Sequence, residues 1–222
     1  MIKAENITKI FKTGEVEFKA LQNINLFIEE GEFLVITGRS GSGKSTLLYQ
    51  LSLLDDPTSG KIIFDNKDIS LLSNREKTLI RLEKLGYVFQ DYALLPELTA
   101  LENTALTLLM MGIDSKKAYK KSKDTLAQFG LESKINNLPS QLSGGEQQRV
   151  SIARAIVNNP HIIFADEPTA NLDSENTKDV IEILKKLNQE GQTIVMISHE
   201  EDCFSCSSRI IKLLDGQIVS SS

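Results

Sequence analysis

The sequence predicts an α/β fold with a mostly parallel sheet, an antiparallel β-subdomain near the N-terminus and an inserted α-helical subdomain. Three observations carry that expectation. Short β-branched or aliphatic runs alternate with helix-like stretches along the chain. Two apolar runs near the N-terminus are bounded by turn residues, and between Thr99 and Asn159 strand-like runs vanish while the apolar spacing becomes helical. In chain order, residues 23–29 and 61–65, flanked by Glu30-Gly31, Ser59-Gly60 and Asp65-Asn66, read as strands of a small second sheet. Residues 33–37, 86–89, 161–165 and 193–197 are apolar runs of strand length, as expected of central strands buried on both faces. The helical insertion has edges near Gln90 and Pro160. A single domain over residues 1–222 is therefore expected. Residues 1–89 and 159–222 form its α/β core, with the β-subdomain at the N-terminal end, and residues 90–158 form the helical subdomain.

Composition excludes several classes. With 222 residues, 41% of them apolar, the chain can bury a sizeable core, which rules out a peptide, a fibre or a disordered tail. Lys+Arg 25 against Asp+Glu 30 leaves a net charge of -5, without the basic excess of a dedicated nucleic-acid binder. No nucleic-acid partner is expected. The N-terminus has no secretory apolar region, and the longest apolar stretch, near Leu106 to Ile113, falls well short of the ~20 residues that span a bilayer. Two cysteines fit a reducing compartment. The expected location is the cytoplasm.

The first motif with chemistry is Gly38-Arg39-Ser40-Gly41-Ser42-Gly43-Lys44-Ser45, between the strand at 33–37 and a helical stretch starting at Thr46. That is a complete P-loop in its required strand–loop–helix context, and it makes the core a P-loop NTPase core. The glycines let backbone N–H groups turn toward phosphate oxygens, and the helix N-terminus adds its positive end. Lys44 supplies a cation and Ser45 a hydroxyl for Mg²⁺. Downstream, the strand Ile162-Ile163-Phe164-Ala165 ends in Asp166-Glu167. Alone, such a pair is commonly a solvated strand end. With a P-loop upstream, Asp166 is a candidate Mg²⁺ ligand and Glu167 a candidate base for an attacking water.

A third segment, Leu142-Ser143-Gly144-Gly145-Glu146-Gln147, has the S-x-x-E spacing of a helix capping box. It also resembles LSGGQ, the signature of the ATP-binding-cassette (ABC) ATPases, with Glu146 in the last position. The resemblance covers about residues 2–219. It implies a RecA-like core, ATP and Mg²⁺ as cofactors, and a head-to-tail dimer in which Ser143, Gly144, Gly145 and Glu146 of one copy grip the γ-phosphate held by the P-loop and Thr46 of the other. It further implies that Gln90 senses Mg²⁺ and the attacking water, that Asp173 in Asn171-Leu172-Asp173 touches the partner copy, and that His199 contacts the γ-phosphate. Phe11 stands where the family often stacks a tyrosine on adenine, with Phe18 as an alternative. Read without the family, Asp173 is a helix N-cap, His199 a structural histidine and Phe11 a hairpin or core residue.

Within the family, residues 88–103, 153–160 and 166–173 look most like the branch of lipoprotein-release, macrolide-export and cell-division ATPases. Ala170 stands where the pattern more often has glycine. The branch implies a peripheral position on the cytoplasmic membrane face, a separate integral membrane permease and, through it, a periplasmic or extracellular adaptor. A regulatory cell-division role without transport is the alternative. A chromosome-structure ATPase would need a long coiled coil between P-loop and signature, whereas Lys44 and Ser143 are 99 positions apart. Tyr92, Leu94 and Leu95 are candidates for the permease-coupling surface or for packing inside the helical subdomain. Cys203 and Cys206 have C-x-x-C spacing, but the chain has no second pair, so they read as two small buried residues on a helix. Lys116, Lys117, Lys120, Lys121 and Lys123 suit anionic headgroups or, more commonly, a solvated helix face.

Overall fold

The computed structural model describes residues 1–14 and 16–221. The chain begins with β1 (Ile2–Thr13), β2 (Val16–Ile28), β3 (Phe33–Thr37), α1 (Lys44–Leu51), β4 (Ser59–Phe64), β5 (Lys67–Asp68), α2 (Asn74–Lys84) and β6 (Leu85–Val88). Helices α3 (Ala100–Met110), α4 (Ser115–Gln128) and α5 (Gly144–Ile156) follow. The chain then returns through β7 (Ile162–Asp166), α6 (Ser174–Gln189), β8 (Thr193–Ile197), α7 (Glu201–Cys206), β9 (Arg209–Leu214) and β10 (Gln217–Ser221).

The four apolar runs become β3, β6, β7 and β8 in a six-stranded sheet of order β10-β9-β3-β8-β7-β6. The ladders β3–β8, β7–β8, β6–β7 and β3–β9 are parallel, and only β9–β10 is antiparallel. These runs need no alternation because both faces are covered. Leu34, Ile36, Phe164, Val195 and Ile197 pack toward α1 and the N-terminal sheet, while Phe33, Val35, Ile163, Ala165, Ile194 and Met196 pack toward α5 and α6. Full burial of a side chain such as Phe164 contributes about 1.5–3 kcal/mol.

The N-terminal sheet has the order β2-β1-β4-β5 and is antiparallel throughout. It is larger than the sequence suggests. Strand β1 does not declare itself, because its ladder slips register three times against β2, and Asn6 and Asn23, with φ of 52° and 50°, break the alternation. Strands β9 and β10 also escaped the pattern reading.

Helices α3, α4 and α5 enclose a separate apolar cluster around Ala100, Leu126, Val150 and Ala153. Helix α5 serves both bodies, since Ile152 and Ala155 pack onto the parallel sheet. Thr99, Ser143 and Ser73 each close a complete capping box, with Glu102, Glu146 and Glu76, at the starts of α3, α5 and α2. Among the described residues no helix is long and apolar enough to cross a membrane.

Candidate functional site

Because β3, β6, β7 and β8 run parallel, their C-terminal ends share one edge of the sheet. The P-loop leaves β3 there, Asp166 closes β7, and Gln90 and His199 lie just beyond β6 and β8. Helix α1 starts from Gly43, whose φ of 100° favours glycine, and no side chain caps its first turn. A Cβ at Gly43 would stand 2.5 Å from the Ala20 carbonyl oxygen. The free N–H groups of that turn are a ready anion site.

Lys44 is buried, and its Nζ donates to the carbonyls of Gly38 (2.9 Å) and Arg39 (3.2 Å), the back of the same loop. Ser42 is buried, and among the described residues its Oγ has no hydrogen-bond partner. Ser40, Gly41, Gly43, Lys44, Ser45 and Thr46 line a cleft of about 460 Å³ together with Phe11, Phe18, Glu167 and His199. Phe11 and Phe18 face each other across the β1–β2 ladder, both exposed, with the Lys9 ammonium 5.2 Å from the Phe11 ring centroid. Both rings are therefore available to a planar ligand.

Asp166 is buried and accepts a hydrogen bond from Ser45 Oγ at 3.3 Å. Burial pushes its carboxyl above the usual range; the Ser45 hydroxyl opposes this and the Glu167 charge adds to it. Glu167 has φ of 45° at the sharp turn after β7, and its N–H donates to the Ile197 carbonyl at 3.2 Å. This geometry carries the side chain into the cleft, where Oε1 lies 3.6 Å from His199 Nε2. A desolvated carboxylate beside a serine hydroxyl is a hard oxygen pair that suits Mg²⁺, an ion that takes one or two protein oxygens and completes its shell with phosphate oxygens and water. Among the described residues no group of three His, Cys, Asp or Glu could hold a metal by itself.

Ser143 to Glu146 are not in this cleft. Ser143 Oγ accepts from the Glu146 N–H (3.2 Å) and Glu146 Oε2 accepts from the Ser143 N–H (2.8 Å). The Ser143 N–H, with Lys134 3.3 Å from Glu146 Oε1, holds the Glu146 carboxyl below the usual range. This end of α5 packs against the start of α6. A Cβ on Gly145 would strike the Asn176 side chain, and one on Gly144 would meet Tyr92 Oη at 3.0 Å. Asp173 caps α6, accepting from the Asn176 N–H at 2.8 Å. Gln90 is exposed; its carbonyl accepts from Asn171 Nδ2 at 2.9 Å.

Several features lie outside the sequence expectations. Arg154 donates to the Ala93 (2.6 Å) and Tyr92 (2.9 Å) carbonyls, fixing two residues with positive φ just after Gln90. Its only sequence signal is a cation in the last turn of a helix. Tyr92 turns toward Asn171 and Gly144, and Leu94 packs within the helical cluster, so only Leu95 of the coupling candidates is exposed. An apolar groove of about 410 Å³ instead opens between the core and the helices, walled by Leu54, Leu82, Tyr87, Phe89, Ala93 and Met110. Cys203 is buried, which pushes its thiol up to about 11, but Cys206 is only half-buried, unlike the expectation for the pair.

A family model described as ABC transporter matches residues 21–170. The chain belongs to the ABC transporter family. An uncharacterized ABC transporter ATP-binding protein of Methanocaldococcus jannaschii is 50% identical over 219 residues, covering 99% of this chain and 98% of that protein. The lipoprotein-releasing system ATP-binding protein LolD of Aquifex aeolicus is 47% identical, covering 99% and 96%. The macrolide export ATP-binding/permease protein MacB of Campylobacter fetus is 46% identical, with this chain covering 34% of its length. A solved dimer of the ATP-binding cassette MJ0796 in a post-hydrolysis state, bound to ADP and Pi, superposes with a TM-score of 0.93 at 44% identity, covering 100% of this chain and 98% of that one. The MJ0796 sequence from Methanocaldococcus jannaschii is 47% identical. This ABC cassette is thus an ATP-binding ATPase subunit of α/β fold.

Proposed function

We propose that two copies of this chain pair head to tail around two Mg-ATP and that closure and hydrolysis drive a separate membrane permease of the export, lipoprotein-release or mechanical type. One observation carries the reading. The P-loop, Glu167 and His199 share one cleft, while the N-terminus of α5 that begins at Ser143 lies elsewhere, against α6. Each face is half of a phosphate site, and two-fold symmetry joins unlike halves twice.

In this reading Lys44 leaves the Gly38 and Arg39 carbonyls for the phosphates, and a phenyl ring of Phe11 or Phe18 stacks on the base. Ser45, Asp166 and Gln90 would hold Mg²⁺, which when bound neutralises phosphate charge. Glu167 accepts the proton of the attacking water and His199 donates to the γ-phosphate. Ser143, Gly144, Gly145, Glu146 and Asp173 act on the nucleotide of the other copy. Residues 90–158 would move as a helical unit against the core, with Arg154 linking the segment after Gln90 to α5. The apolar groove would receive the permease and so put the chain peripherally on the cytoplasmic membrane face; an adaptor beyond the permease fits the same arrangement.

Complementation tests this. Ser143→Arg and Lys44→Ala are each expected to be inactive alone, and their mixture is expected to regain hydrolysis that rises with protein concentration. Full, concentration-independent activity of Ser143→Arg would defeat the trans arrangement.

A further inference from the structure

Helix α4 carries Lys116, Lys117, Lys120, Lys121 and Lys123, all exposed. At 100° per residue they span one continuous face, opposite the buried Ala118, Ser122 and Thr125. Between Asp114 and Asp124 the chain has five lysines and two aspartates, leaving twenty basic and twenty-eight acidic residues for the rest. The basic charge is therefore concentrated against an acidic background. Among the described residues none of these five ammonium groups has an ion-pair partner.

Exposed apolar side chains lie on this helix and in the chain just before it. Met110 is 63% exposed at the end of α3, Ile113 40% in the turn that follows, and Tyr119 36% beside Lys123 on the wheel. Cations flanking an aromatic and aliphatic rim are the pattern that binds anionic headgroups while seating apolar groups at the interfacial boundary. Met110 also walls the apolar groove assigned above to the permease and precedes Lys116 by six positions.

We propose that the lysine face of α4 seats the cassette on anionic phospholipid headgroups beside its permease. The membrane location rests on the permease reading, but the lipid contact is a property of this chain alone. Each lysine contributes about fivefold to partitioning near an anionic surface, so the face is tuned for reversible attachment that strengthens when a permease holds it there.

The full purified chain is mixed with vesicles of phosphatidylcholine alone or mixed with phosphatidylglycerol, and sedimented. Binding only to the phosphatidylglycerol vesicles, falling as salt rises, is expected. Lys116→Gln/Lys117→Gln/Lys120→Gln should weaken it by about 100-fold while ATP hydrolysis in solution and melting temperature stay unchanged. Ile113→Ser/Tyr119→Ser should weaken it by a smaller factor.

Equal binding to neutral vesicles, undiminished binding by the triple variant, or retention of duplex DNA in place of vesicles would overturn the proposal. Displacement by millimolar inorganic phosphate would also count against it, assigning the face to a soluble anion. A membrane protein that co-purifies with a chain unable to bind vesicles overturns the lipid contact alone. Vesicle binding by a chain that retains no membrane protein supports the lipid contact and overturns the permease reading.

Discussion

Glu167→Gln isolates the proposed proton acceptor, because the amide keeps the side chain's shape and removes only its basicity. The backbone that aims Glu167, with φ of 45° and its N–H bonded to the Ile197 carbonyl, does not depend on the carboxylate. Among the described residues the side chain makes no hydrogen bond that the amide would lose, and its distance to His199 Nε2 is 3.6 Å. Folding stability should therefore change by less than about 0.5 kcal/mol, the usual range for a partly exposed site. Loss of a general base costs about 10²–10⁴ in rate, or about 3–5 kcal/mol of transition-state stabilisation. Nucleotide affinity should hold or rise, because the Glu167 charge that pushes Asp166 upward also repels the γ-phosphate. Steady-state phosphate release measures the rate, and size-exclusion chromatography with Mg-ATP detects the closed dimer that slow hydrolysis should trap. Turnover within tenfold of the parent would refute Glu167 as the base, and a monomeric ATP-loaded variant would refute closure by dimerisation.

Two further outcomes follow from other parts of the molecule. Arg154→Met removes two charge-assisted bonds that hold the Tyr92 and Ala93 carbonyls, and should lower stability by about 2–4 kcal/mol and the melting temperature by roughly 5–10 °C; an unchanged melting curve would show that the segment after Gln90 is held by other contacts. Backbone N–H groups, with the Ser73, Thr99 and Ser143 hydroxyls and, for Asp173, the Asn176 amide, hold Glu76, Glu102, Glu146 and Asp173 below the usual carboxylate range. Their stabilisation is complete above the unfolded values of 4.5 for Glu and 3.8 for Asp and is lost as pH falls through the lower folded values. Glu102→Gln keeps the capping geometry without the titration, so denaturant unfolding between neutral and acid pH should give it a shallower acid slope than the parent; identical slopes would contradict this assignment.

The parts of this protein that its sequence determined are those written in consecutive residues. The P-loop between strand and helix, the apolar runs of β3, β7 and β8, the acid pair that closes β7 and the Ser143–Glu146 capping box each depend on neighbours a few positions away. Local spacing sets the backbone there, and the backbone sets the chemistry. Strand β1 stayed hidden because bulges spoil its alternation.

Tertiary structure alone decided relations between distant segments. It brought Phe11, Phe18, Glu167 and His199 to one cleft, turned Lys44 back onto its own loop, set the end of α5 against Asn176, tied Arg154 to residues 92 and 93, and opened a groove lined from both bodies. Those contacts join side chains separated by up to about two hundred positions, and their partners are chosen by which faces the sheet and helices bury together. No periodicity in a single stretch encodes that choice; it emerges when the parallel sheet gathers four strand ends on one edge and α5 packs against one of its faces.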